Sequence, residues 1–333
     1  MGLSGQRHRV KDWSVLQPRR SLPAMTPATS SARDLRIAQI LLFVTPAMFT
    51  TNMVMARATA GLIPPVALAE LRWIGVVLVL LPFCGRELWR SRAALRREWR
   101  HLLALGFLGM GICGAGVYYG AFTTTATNIG LIYATSPVMI ILLSRMLFAE
   151  RFSLRQGIGT ALALAGVLAI ILRGDITTIL HLTFTPGDLI ILGAAISWAL
   201  YSVYLKHWRS SLSVTARLSA IAFAGVVVML PVQAYELAVI GPPAFDLRTI
   251  AAVATLVLVP GVGAYATFGY MTKHLGPNRT GLMLYLAPVY TAVMAWLLLG
   301  EAFAFYHWLG AALVLPGLYF ATHKPDPNRT EAV

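Results

Sequence analysis

Apolar runs of roughly 20 residues, parted by short polar stretches, recur along the chain. They fall at about 36–57, 65–85, 101–122, 128–149, 155–173, 188–206, 215–239, 249–272, 279–300 and 304–322. A helix rises ~1.5 Å per residue, so each run is long enough for a hydrocarbon layer of ~30 Å. A segment crossing lipid must satisfy its own backbone hydrogen bonds, which predicts helices throughout. The expected fold is an all-α membrane protein with ten transmembrane helices. Residues 86–100 and 173–187 are the longer connections and are expected as loops. Residues 1–35 predict a disordered basic cytoplasmic tail, and 323–333 a second cytoplasmic tail. The first tail has neither the long apolar core nor the cleavage site of a signal peptide.

The pattern is duplicated. Residues 130–166 reappear at 281–317, shifted by 151 without a gap, with 12 identities in 37 positions. Leu and Ala matches arise cheaply in an apolar chain. The pairs Pro137/Pro288, Glu150/Glu301, Gly130/Gly281, Gly159/Gly310 and Gly166/Gly317 do not. Upstream, Tyr119 faces Tyr270 at the same shift, and Phe49-x7-Arg57 faces Trp198-x7-Lys206 at a shift of 149. An aromatic two turns before a basic helix end reads first as an interfacial ring beside a snorkelling cation. Two repeats, 36–173 and 188–322, each hold five helices. An odd number reverses the second repeat through the membrane, so the repeats are expected to be inverted around a central cavity.

Composition agrees with the membrane reading: 57% of residues are hydrophobic, 12% are charged, and the mean hydropathy is +0.70. The net charge of +14 raises the question of nucleic acid, but its distribution argues against it. With the N-terminus inside, 23 of the 27 Lys and Arg fall on cytoplasmic segments, and Arg57, Arg173 and Arg248 fall outside. That bias places both termini in the cytoplasm. The two cysteines, Cys84 and Cys113, build neither a disulfide framework nor a metal site. No phosphate-cradling loop and no catalytic cluster is present, so neither enzyme activity nor a cofactor or metal is expected.

The paired Asn128-x8-Pro137-x12-Glu150 and Asn278-x9-Pro288-x12-Glu301, two five-helix halves and an Arg in the second helix resemble the drug/metabolite transporter superfamily. Within it they are similar to the EamA-type exporters, and most of all to the YddG-type bacterial exporters of aromatic amino acids. The resemblance spans about 36–322. It implies a multi-pass protein of the bacterial inner membrane, working as a monomer or weak dimer on a small-molecule substrate.

Several residues are candidates for the site. Pro137 and Pro288 would each break a mid-helix hydrogen bond, to Tyr133 and Leu284, and serve as kinks or hinges beside the cavity. Glu150 and Glu301 close the fourth helix of each half and would lie on opposite membrane faces. Each is expected to cap the helix that follows. Glu70 and Arg72 read as the only well-buried charges, pointing apart on one helix, each in need of a partner or a cavity. Glu70 is the candidate for proton coupling. Dense glycines in the third helix of each half predict close packing. Thr45, Asn52, Tyr118, Tyr119, Tyr133, Ser136, Trp198, Tyr201, Tyr265, Tyr270 and Tyr285 join Arg72 as candidate cavity lining for a bulky, partly apolar solute.

These readings lead to a secondary transporter that alternates access and exports small metabolites, foremost amino acids including aromatic ones, with xenobiotics such as organic cations beside them. An importer or exchanger of nucleotide sugars or sugar phosphates is the alternative in the same fold. It would need several central cations to hold phosphate. A membrane enzyme or receptor stands further off.

Overall fold

A computed structural model describes residues 31–59, 61–124, 126–181, 185–291, 293 and 304–322. Both expected tails lie almost wholly outside these residues, and so does Glu301. All regular structure among the described residues is helical. Among the described residues seven helices are long and apolar enough to cross a membrane. They are α2 (Pro65–Arg90), α3 (Arg92–Gly120), α4 (Asn128–Phe148), α5 (Leu154–Ile171), α6 (Pro186–His207), α7 (Val214–Val239) and α8 (Leu247–Leu275). Around them lie α1 (Ala32–Ala58), a ninth helix that starts at Pro277, here α9, and α10 (Phe305–Thr322).

The first correction concerns residues 86–100. They are not a loop: α2 runs on to Arg90, Ser91 makes the bend, and α3 begins at Arg92. The stretch is rich in Arg, Ala, Leu and Glu, which favour helix, and it holds neither Gly nor Pro. Its polarity ends the apolar run without ending the helix.

Helix starts are sealed by specific groups. Ser153 accepts from the Gln156 amide while Gln156 returns the bond, a capping box on α5. Ser213 and Asp246 cap α7 and α8 from within the sequence. The start of α2, at Pro65, has no cap of its own. Glu236 of α7 supplies one across the bundle, accepting from the amides of Val66 (3.0 Å) and Ala67 (2.7 Å).

α3 and α8 share an irregularity. Both widen to π-helix, over Gly106–Ala115 and Val257–Ala264. The two stretches begin 151 residues apart. A π segment leaves carbonyls off the regular ladder, and in lipid each must find a donor. Side chains supply them: the Ser197 hydroxyl donates to Leu108 O (2.8 Å) and the Tyr265 hydroxyl to Gly109 O (3.1 Å).

α5 and α10 lie closest together. A Cβ on Gly159 would stand 2.6 Å from Gly317 O, and one on Gly317 would stand 2.7 Å from Gly159 O. Likewise Gly166 and Gly310 face each other, at 2.6 and 2.8 Å. Only glycine permits this approach. The pairing is reciprocal: the 151-residue shift turns Gly159–Gly317 into Gly310–Gly166.

The prolines sit where the helices change character. α4 breaks at Thr135, and Pro137 enters in the first turn of the new segment Ser136–Phe148. There the missing amide costs nothing. The break is closed by Thr135, whose hydroxyl (2.6 Å) and amide (3.1 Å) both donate to Ile132 O. In α9 the chain tightens to 3₁₀ over Leu282–Leu286 just before Pro288. Each proline therefore follows an interruption rather than kinking a regular helix.

Candidate functional site

The main core runs between α1, α2, α3, α6, α7 and α8, and its centre is aromatic. Trp198 of α6 meets Phe49 of α1 edge-on at 5.5 Å, and Phe268 of α8 at 4.8 Å. Tyr265 of α8 touches Trp73 (4.9 Å), Phe49 (5.6 Å) and Trp198 (5.7 Å). Tyr201 stacks on Trp198 at 5.5 Å. These are contact distances for rings. The expected central cavity is closed here by side chains packed on one another. Phe49 and Trp198, whose match reads first as interfacial rings and of which Trp198 is also a lining candidate, pack into the core and touch each other.

Arg72 enters this centre from α2. Its Nη1 donates to Asn52 Oδ1 of α1 at 2.9 Å, and the same oxygen accepts from the Tyr118 hydroxyl of α3 at 2.8 Å. The guanidinium lies over the rings of Trp73 (4.5 Å) and Tyr265 (5.6 Å), whose π faces attract its charge, and among the described residues it meets no carboxylate. Its Nε, and the indole N–H groups of Trp73 and Trp198, are buried without an acceptor among the described residues. Cys113 and the Tyr133 hydroxyl lie 3.8 Å apart.

Glu70, two residues before Arg72 on α2, is buried, and neither carboxylate oxygen meets a donor among the described residues. It and Arg72 are not the only buried charges, as the sequence suggested. Glu236 and Asp188 are equally enclosed. Both stand near the ends of apolar runs, and both seal helix starts. Asp188 accepts from Thr124, from Asn128 Nδ2 (3.0 Å) and from the Thr185 amide (2.6 Å). It thereby ties the start of α4 to the start of α6.

The carboxylate of Glu150 does not cap α5, because Ser153 holds that position. It turns to two other helices instead, accepting from Asn278 Nδ2 (2.7 Å) and pairing with His207 Nε2 (3.1 Å). His207 stacks on Phe148 at 3.7 Å, and its Nδ1 lies 2.8 Å from Val203 O. Both ring nitrogens face oxygen acceptors, so both contacts are made at once only when a proton sits on each.

The sequence candidates thus divide. Asn52, Arg72, Tyr118, Trp198, Tyr201 and Tyr265 converge at the centre, with Tyr133 beside them. Thr45 reaches Thr267 (2.9 Å) on α8. Tyr285 belongs to a second cluster under α5 and α10, where its hydroxyl, like that of Ser136, is buried without a partner among the described residues. Two candidates lie elsewhere. Tyr119 is 40% exposed. Tyr270 sits at the far end of α8 and donates to Asp34, at the start of α1 (2.9 Å). Phe49, Trp73 and Phe268 belong to the centre and were not singled out for it.

Comparison with known proteins agrees with this architecture. The model of the EamA-like transporter family matches residues 36–172 and again 185–322. An uncharacterized transporter, YyaM, of Bacillus subtilis is 25% identical over 80% of this chain and 88% of its own. A probable amino-acid metabolite efflux pump of Escherichia coli is 25% identical over 84% and 93%. A probable terminal-alkyne amino-acid exporter of Streptantibioticus cattleyicolor is 25% identical over 71% and 77%. A crystal structure with 20% identity superposes over 86% of this chain and 96% of its own, with a TM-score of 0.68.

Proposed function

We propose that this chain, which belongs to the EamA-like transporter family, exports amino acids, aromatic ones among them, by alternating access at its aromatic centre. The proposed arrangement is ten transmembrane helices in two inverted repeats. Three features support the inversion. The glycine contacts of α5 and α10 are reciprocal under the repeat shift, as a two-fold axis through that contact requires. The π stretches of α3 and α8 begin 151 residues apart. Phe49 and Trp198, repeat mates, touch each other, as residues next to such an axis would. A site at that axis is built from both halves and can open to either side as they rock.

The observation that carries the substrate reading is the composition of that centre. Rings of α2 and α8 lie over one guanidinium whose Nε, like two indole N–H groups of the same aromatic cluster, has no acceptor among the described residues. Aromatic faces suit an apolar side chain, and free donors suit a carboxylate. Relatives described as amino-acid efflux proteins point the same way. A sugar-phosphate exchanger would gather several cations on the phosphate, and Arg72 alone among the central residues is cationic. Glu70 is the group proposed for proton coupling. The test is counterflow in proteoliposomes with amino acids, sugar phosphates and organic cations. Exchange of labelled phenylalanine is expected. Movement of sugar phosphates with no amino acid would replace this reading by the exchanger.

A further inference from the structure

The bend between α2 and α3 forms a cleft of about 630 Å³, lined by Leu81, Gly85, Leu88, Trp89, Arg92, Leu95 and Arg96. Leu81, Gly85, Leu88, Arg92 and Leu95 follow one another by three or four residues, with Trp89 and Arg96 next to two of them, so the lining makes a single stripe that passes from apolar helix into basic helix. Leu81 and Leu88 are about 10 Å apart along α2. The stripe is therefore apolar at one end and cationic at the other. It is also open, with Trp89 at 73% exposure.

The charge of this region is uncompensated. Residues 86–100 carry Arg86, Arg90, Arg92, Arg96, Arg97 and Arg100 against two acids. Both acids are engaged elsewhere: Glu87 accepts from Ser213 N and Oγ (both 2.7 Å), and Glu98 from Ser210 Oγ (2.6 Å). Among the described residues the one ion pair is Glu150 with His207. Arg92 and Arg100 instead lie over the rings of Trp89 (5.7 Å) and Trp99 (5.4 Å), residues of the type that settles at the headgroup level.

We propose that this cleft binds one anionic phospholipid, with its phosphate between Arg92 and Arg96 and an acyl chain along Leu88, Gly85 and Leu81. The apolar lining excludes a nucleic acid, and the paired arginines exclude a zwitterionic lipid as the preferred occupant. An anion at a membrane surface supplies the counter-charge that no acid among the described residues provides.

The test is native mass spectrometry of the purified full chain, delipidated and offered phosphatidylglycerol and phosphatidylcholine in equal amounts. The wild type is expected to retain phosphatidylglycerol preferentially. Arg92→Gln/Arg96→Gln should lose that preference, by roughly fivefold per arginine, while Arg248→Gln keeps it. Gly85→Phe should fill the cleft and expel the lipid with every arginine intact, since a Cβ there meets only the Leu81 side chain at 3.7 Å. Equal retention of the two lipids by the wild type would overturn the proposal without any variant. So would unchanged binding by Gly85→Phe, which would reduce the site to surface charge, or full displacement of the lipid by inorganic phosphate.

Discussion

Adding one methyl group to Gly159 or Gly317 probes the packing on which the two halves depend. A Cβ on Gly159 would stand 2.5 Å from Ala321 N and 2.6 Å from Gly317 O; one on Gly317 would stand 2.6 Å from Ala163 N and 2.7 Å from Gly159 O. Carbon needs about 3.5 Å from such atoms. The obstacles are backbone, so no rotamer change relieves them, and α5 and α10 must separate by about 1 Å. Overpacking of this kind costs about 1–3 kcal/mol per site. Gly159→Ala and Gly317→Ala should each lower the apparent melting temperature in detergent by several degrees, at about 2–4 °C per kcal/mol. All scans need one heating rate, because unfolding of such a protein is irreversible. The double variant should fall short of the summed losses, since the second methyl enters a contact the first has already opened. Gly193→Ala is the control. A Cβ there meets nothing within 4 Å, so it should be neutral or gain up to ~1 kcal/mol from helix propensity. If Gly159→Ala and Gly317→Ala behaved like Gly193→Ala, the close approach of α5 and α10 would be wrong.

Other residues give further tests. Glu236→Ala strips both amides at the start of α2 of their acceptor, and should cost about 1–3 kcal/mol in the same melts; an unchanged melt would deny the cap. Arg72→Lys loses the planar stack on Trp73 and Tyr265 and the fixed bond to Asn52. Counterflow of phenylalanine should fall about 10- to 100-fold, as for loss of ~1.5–3 kcal/mol in a charged hydrogen bond, and undiminished exchange would remove Arg72 from the site. At the start of α8 the Thr249 amide holds the Asp246 carboxyl below its ordinary value of 3.8. A lowered folded-state value stabilises above 3.8 and is lost as pH falls through the folded value. The melts of wild type and Asp246→Ala should therefore differ at neutral pH and converge in acid; a gap that persisted in acid would show the cap acts without its charge.

How legible this was from sequence depended on the kind of signal. Gly159, Gly166, Gly310 and Gly317 stood out because a glycine matched at a fixed shift in an apolar helix has few explanations besides close approach, and the structure shows that approach. The π stretches left no trace beyond a run of glycines, since π-helix has no residue signature. Residues 86–100 were misread because hydropathy reports where a helix leaves lipid, not where it ends. The partners of Glu236 are backbone amides of another helix, which local spacing does not show; Asp188 has a local signal, the capping box Thr185-x-x-Asp188, but its bonds to Thr124 and Asn128 cross to another part of the chain. Glu150 misled for the related reason that Ser153, three residues on, is the better cap. At the centre, polar and aromatic type picked out Arg72, Asn52, Tyr118, Trp198 and Tyr265 together. It could not set Tyr119 and Tyr270 aside, because type does not say which face of a helix a ring takes.

The central claim is that solute passes between the halves where Phe49 meets Trp198. Phe49→Cys, in a background with Cys84 and Cys113 replaced, tests it with a membrane-impermeant thiol reagent applied from either side of oriented proteoliposomes. The account predicts labelling from both sides, with transported phenylalanine protecting the thiol. Labelling from neither side, or labelling that ignores the amino acid, would contradict it.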